Sequence, residues 1–156
     1  GKAILELGCG TGATGLHCAA ALNASSVILT EGGSEGLLQL ARRNVDANRL
    51  LLNCEVAVQR HGWGEPVEWA PELVVGSDVT YDRDAHDRLC ATLKALKAPA
   101  ILAHQHRRVA SFLSGESQLD HFLETADQMG LAVDRLHEDA TNALAPVSIL
   151  GVAAPR

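Results

Sequence analysis

A chain of 156 residues, 47% hydrophobic and 21% charged, is long enough to bury a sizeable core as one domain, and no run in it is apolar for the length of a membrane span. Its formal net charge of −6 runs against the clustered Lys and Arg that drive binding to a phosphate backbone, so nucleic acid is not an expected partner. Four cysteines, at 9, 18, 54 and 90, have neither the paired spacing of a zinc site nor the density of a secreted scaffold, which points to a reducing, cytoplasmic compartment.

The chain opens directly on an apolar strand, Ala3-Ile4-Leu5, with neither an initiator methionine nor a signal peptide, and reads as an excerpt holding one domain over residues 1–156. Val27-Ile28-Leu29, Leu73-Val74-Val75 and Ile101-Leu102-Ala103 are further short apolar runs, the pattern of strands buried on both faces of a parallel sheet. Between them lie helical patterns. Ser34 can cap a helix carrying Leu37, Leu38, Ala41 and Val45, and Asp82 or Asp84 can start one with His86, Leu89, Leu93 and Leu96 inward. A third helix sets Leu119, Phe122, Leu123 and Ala126 on one face before Gly130 stops it. Glu55-Val56-Ala57-Val58 suits an edge strand, and Leu131 to Leu136 with Val147 to Val152 should close the chain as an antiparallel hairpin. The expected fold class is α/β: a Rossmann-like open twisted sheet, mostly parallel, with helices on both faces. Ligands of such sheets sit at the carboxyl ends of the strands, so the residues after each strand carry the function.

After the first strand comes Glu6-Leu7-Gly8-Cys9-Gly10-Thr11-Gly12, a glycine turn through which a ligand can approach the backbone. Gly8, Gly10 and Ala13 also meet the relaxed dinucleotide fingerprint, with Glu31 at about the spacing it requires. Glu6 separates the readings, because a carboxylate at the mouth of the turn repels a pyrophosphate and attracts the ammonium and sulfonium of S-adenosylmethionine. A turn that is merely structural is the bland alternative; Cys9 serves it as a small spacer.

After the second strand, Glu31 can accept both ribose hydroxyls, or simply favour a helix dipole. After the third, Trp63 between two glycines can cover an adenine face or pack under its loop. After the fourth, Gly76-Ser77-Asp78-Val79-Thr80-Tyr81-Asp82 sets an acid and the only tyrosine three residues apart. The alternative there is Asp78 as a helix cap and Tyr81 as core. His104-Gln105-His106-Arg107-Arg108 is a short positive group, readable as a solvated helix start or a substrate contact; its alternate histidines lack an obvious third metal ligand.

With these pieces in place, the sequence resembles the seven-β-strand protein methyltransferases that include the calmodulin-lysine, valosin-containing-protein-lysine and elongation-factor-lysine enzymes. The resemblance runs through Gly1 to Gly12, Leu29 to Leu50 with its Arg43-Asn44-Val45-x-x-Asn48 tail, Trp63-Gly64, Gly76 to Asp82 and the helix through Leu96. It implies that Gly8, Gly10, Thr11 and Gly12 cradle the methionine end of S-adenosylmethionine, Glu31 holds the ribose, Trp63 and Ser77 flank the adenine and the donor, and Asp78 and Tyr81 face the acceptor nitrogen. Glu31 stands where the family more often has Asp, and His61 where it has an aliphatic residue. Family members also carry a segment before the first strand that helps cover the donor, which this chain is expected to lack.

The implied activity is methyl transfer to a lysine of a protein substrate. An NAD-dependent oxidoreductase using Gly8, Gly10, Ala13 and Glu31, and a non-catalytic cofactor-binding module, are the competing expectations.

Overall fold

The computed structural model describes residues 1–106, 117–141 and 145–154. Seven strands form one sheet: β1 (Ala3–Glu6), β2 (Ser26–Glu31), β3 (Glu55–Arg60), β4 (Leu73–Ser77), β5 (Ala100–Gln105), β6 (Val133–Asp139) and β7 (Val147–Val152), in the order β3-β2-β1-β4-β5-β7-β6. The helices are α1 (Ala13–Ala21), α2 (Glu35–Asn48), α3 (His86–Leu96), preceded by a 3₁₀ turn at Arg83–Ala85, and α4 (Gln118–Gln128). All pairings from β3 through β5 are parallel and β7 is antiparallel to both neighbours.

β1 is central because Ile4 and Leu5 point to opposite faces and both need cover. On one face Ile4, Val27, Leu29 and Val75 meet Cys18 and Ala19 of α1 and Ala41 of α2. On the other, Leu5, Leu7, Val74 and Leu102 meet Leu89 and Leu93 of α3 and Phe122 and Ala126 of α4. The chain runs from β1 through β2 to β3 in one direction and from β4 through β5 in the other. The carboxyl ends of β1 and β4 therefore flank a switch point. No helix joins β3 to β4; Trp63, Val67 and Trp69 of that connection pack against the second face instead.

Three sequence expectations shift. β6 starts at Val133 rather than Leu131, because Gly130 turns at φ 73° and the Leu131 N–H donates back to the Ala126 carbonyl, closing α4. Ser34 begins α2 without a side-chain cap; its carbonyl accepts from Leu37 instead. His104 is no helix start: it is a buried residue of β5, while Arg107 and Arg108 lie outside the described residues.

Candidate functional site

Above the carboxyl ends of the strands lies a cavity of about 400 Å³, within the range of small-molecule sites. Its lining brings together Gly8, Glu31, Trp63 and Tyr81, all singled out in the sequence, from the end of β2 and three separate connections. The turn beside it is built on glycine backbone: Gly8, Gly10 and Gly12 have φ of 59°, 53° and 81°. Gly12 is packed, since a Cβ there would lie 2.9 Å from Cδ1 of the buried Leu29, whereas a Cβ on Gly10 would meet nothing within 4 Å. One glycine thus serves the core and the other leaves open space.

Carboxylates hold this turn. Glu31 Oε2 accepts from the Gly10 N–H at 2.9 Å and Oε1 from the Gly33 N–H at 2.8 Å, so one side chain ties the β1 turn to the β2 turn. Each oxygen keeps a second lone pair for a ligand hydroxyl. Asn44 of α2 donates to the Thr11 carbonyl at 2.8 Å, and Asn48 donates to the Asn44 carbonyl, which gives the Arg-Asn-Val-x-x-Asn tail its local purpose.

Glu6 is not at the mouth of the turn, as its place in the sequence suggested. It is 2% exposed, behind the turn, where Oε2 accepts from the Gly15 N–H at 2.9 Å and so satisfies an orphan amide in the first turn of α1. Burial is the main reason its pKa rises from 4.5 to about 7, with Glu31 adding to the rise and the bonds from Gly15 and Thr14 opposing it. Burial also pushes the Cys9 thiol up to about 12, which keeps it neutral and suits a spacer.

Tyr81 is half exposed at the cavity rim, so it is not core. Asp78 adopts φ 55°, a left-handed conformation that a non-glycine residue holds only where the surroundings impose it, and its N–H donates to the Ala103 carbonyl at 2.8 Å. It does not cap α3; the cap-like role falls to Asp82, whose side chain accepts from Asp84 N–H. Ser77 is exposed at the end of β4. Thr11, Gly10, Gly12, Ser77 and Asp78 sit off the cavity's immediate wall, while Trp63 covers Gly8 so closely that a Cβ there would lie 3.2 Å from the indole.

Glu65, Ala85 and Arg88 also line the wall and escaped sequence reasoning, while Asp82, read in the sequence as a helix start, lines it too. Only the fold brings Arg88, on α3, against the connection after β3, where its stem faces Gly64. His61 is 3% exposed, with Nε2 3.3 Å from the Glu65 carbonyl and its ring edge-on to Trp69.

Comparison with known proteins places this arrangement. Curated relatives include the protein N-terminal and lysine N-methyltransferase EFM7 of Cryptococcus neoformans, 35% identical over 59% of this chain and 34% of its own length. The calmodulin-lysine N-methyltransferase of Arabidopsis thaliana is 30% identical over 84% of this chain and 43% of its own length. The chain therefore spans well under half the length of these relatives. Among solved structures, the cyclase SpnF superposes with a TM-score of 0.78 at 15% identity over 99% of this chain and 76% of its own. Magnesium protoporphyrin IX methyltransferase from Synechocystis, solved with bound SAH, gives 0.67 at 16% over 99% and 75%. These structures share the Rossmann-like fold described above. Residues 1–128 match the model of a family described as lysine methyltransferase, a span running from the glycine turn through α4, and on that match the chain belongs to the lysine methyltransferase family.

Proposed function

We propose that this protein transfers a methyl group from S-adenosylmethionine to a lysine side chain of a protein substrate, in the cytoplasm. The observation that carries the reading is one cavity lined both by Gly8 of the glycine turn with Glu31 and by the rim residue Tyr81, in a chain of the lysine methyltransferase family. The residues present fit such a donor: Gly10 leaves open space where a side chain would stand, and Glu31 has acceptor capacity beyond the two amides it holds. When bound, S-adenosylmethionine supplies an electrophilic methyl group on a sulfonium.

Gly8, Gly10, Thr11 and Gly12 are assigned to its methionine end, Glu31 to the ribose hydroxyls, and Trp63 and Ser77 to the flanks of the adenine and the donor. Glu6 supports this set from behind, holding the α1 terminus and placing a titrating carboxylate near the cationic end. Asp78 and Tyr81 are assigned to the acceptor. A lysine is mostly protonated at neutral pH, with an ordinary pKa of about 10.4, and a nearby carboxylate raises that value. Asp78 is therefore no simple base; it orients the amine and stabilises the cation that remains on nitrogen, while water takes the proton. Tyr81 offers a hydroxyl and a ring face to the same ammonium. Positioning and electrostatics do the catalytic work.

Family membership favours this reading over an NAD-dependent oxidoreductase, and the curated relatives named as lysine methyltransferases favour a protein acceptor over a nucleic acid. The four free thiols agree with a reducing compartment, and no helix among the described residues is long and apolar enough to cross a membrane. The test is methylation of a cell extract with labelled donor followed by peptide mapping. Label on lysine is the expected result; label on a nucleobase or a small metabolite overturns it.

A further inference from the structure

Thr80, the residue before Tyr81, is fully buried although it lies in a loop and carries a hydroxyl. Histidines take both of its polar ends. His86, the first residue of α3, places Nε2 3.1 Å from the Thr80 carbonyl oxygen, and His104 of β5 places Nδ1 2.7 Å from the Thr80 hydroxyl. A carbonyl oxygen only accepts, so His86 carries a proton on Nε2. In the neutral ring its Nδ1 is then a lone pair, and that atom lies 2.8 Å from Nδ1 of His121 in α4. Nitrogens at that separation share one proton, so a neutral pair requires His121 to hold its proton on Nδ1. One carbonyl oxygen thereby dictates the tautomer of two rings.

We propose that His121 and His86 form a tautomer-locked pair of positioning residues that fixes the Thr80–Tyr81 peptide and, with it, the acceptor side of the cavity. The proposal rests on the assignment of Asp78 and Tyr81 made above. Asp78 N–H is bonded to Ala103 at the start of the segment and His86 bonds Thr80 near its end, so the loop is pinned at two points to different elements. The lock has a defined release. One added proton enters on His121 Nε2 and leaves the Nδ1 contact intact. A second must enter on His86 Nδ1, sets two N–H groups against each other, and parts the rings.

The groups facing His86 are Asp82 and Arg83 before α3, Thr80 in the loop, and His121 and the edge-on ring of Phe122 in α4. Burial, the largest influence, and the positive charges of His121 and Arg83 hold the His86 pKa below 6.5; the Thr80 carbonyl and Asp82 act the other way. The doubly protonated state accordingly belongs to acid pH, and the lock stands at neutrality.

Nuclear magnetic resonance of the whole chain tests this, and the single tyrosine makes the Tyr81 ring a signal that needs no assignment. At pH 7.5, imidazole nitrogen spectra are expected to show His86 as the Nε2–H tautomer and His121 as Nδ1–H, the form free histidine disfavours. Tyr81 ring signals should hold steady at neutral pH and move only when acid protonates His86 Nδ1. His121→Leu should displace or broaden them already at pH 7.5, and His121→Asn, whose amide donates from near the place of Nδ1, should restore them. His121 in the Nε2–H form, or Tyr81 signals of His121→Leu that superimpose on those of the unaltered protein, overturns the proposal. If the Leu variant does not fold, the tautomers of the unaltered protein decide alone. Calorimetry with S-adenosylmethionine on the same samples reads the donor assignment separately: absent binding overturns that assignment while the spectra still judge the lock.

Discussion

The two sides of the cavity are held by opposite means. On the side assigned to the donor the scaffold is backbone: glycines in left-handed conformations, with Glu31 and Asn44 gripping main-chain amides and carbonyls. On the side assigned to the acceptor it is side chain: a buried threonine between two histidines, one of them braced by a third. Backbone construction leaves room for a ligand to replace what the side chains omit, whereas side-chain construction fixes the loop beside that room. The first arrangement tolerates little change in residue size; the second tolerates little change in hydrogen-bonding character.

The strongest way to sharpen this contrast is Asp78→Asn, which keeps shape and removes charge. Methyl transfer should fall roughly a hundredfold or more while donor affinity stays within a fewfold, the mark of an interaction made in the transition state. Single-turnover kinetics paired with calorimetry reads both, and equal losses in the two would place Asp78 on the donor side instead. Glu31→Ala should do the reverse. Losing charge-assisted bonds to the ribose costs about 1.5–3 kcal/mol, or roughly ten- to a hundredfold in S-adenosylmethionine affinity; an unchanged affinity in a folded variant removes Glu31 from the site.

Within the turn, Gly12→Ala and Gly10→Ala divide packing from binding. Both incur left-handed strain of about 1–2 kcal/mol, but only the Gly12 variant also crowds the fully buried Leu29, so chemical denaturation should find it the less stable of the two. Donor affinity should be lost in Gly10→Ala beyond what its stability explains. Glu6 is tested through pH. Its pKa is raised to about 7 in the folded chain, so the fold keeps a proton that the unfolded chain gives up above 4.5. The associated stability is full below 4.5 and is lost as pH rises through about 7. A Glu6→Gln variant should therefore gain thermal stability relative to the unaltered protein across that window. Binding of a cationic donor should also release up to about half a proton near pH 7, visible as a dependence of calorimetric heat on the buffer's ionisation enthalpy; no such dependence would mean that Glu6 does not sense the ligand.

How much of this was legible followed the distance over which each cause acts. The order of strands and helices came from local periodicity, and the glycine turn, Glu31 and Tyr81 came from their position directly after strands, a rule of the fold class. Glu6 was seen but misplaced, because sequence says that an acid precedes the turn and not which way its side chain points. The histidine bracing was invisible for a different reason: His86 and His104 stand 6 and 24 residues from Thr80, and His121 stands 35 from His86. Helical spacing did place His86 inward with Leu89, Leu93 and Leu96, but no periodicity says which polar groups a buried histidine meets. Arg88 escaped likewise, since only the packing of α3 against the connection after β3 puts it on the cavity wall.

That packing ties the halves of the cavity to one body. The first residue of α3 bonds the Thr80 carbonyl, and Thr92, in its second turn, accepts the Gly64 N–H at 2.8 Å, next to Trp63. A helix is stiff along its axis, so it behaves as a beam with a bearing at Gly64, beside the proposed donor site, and another at Thr80, beside the proposed acceptor site. Movement of the indole as one ligand seats must be absorbed at Gly64 or carried to Thr80. To the extent that it is carried, linkage demands reciprocity: whatever factor the donor adds to the hold on the acceptor, the acceptor returns to the donor.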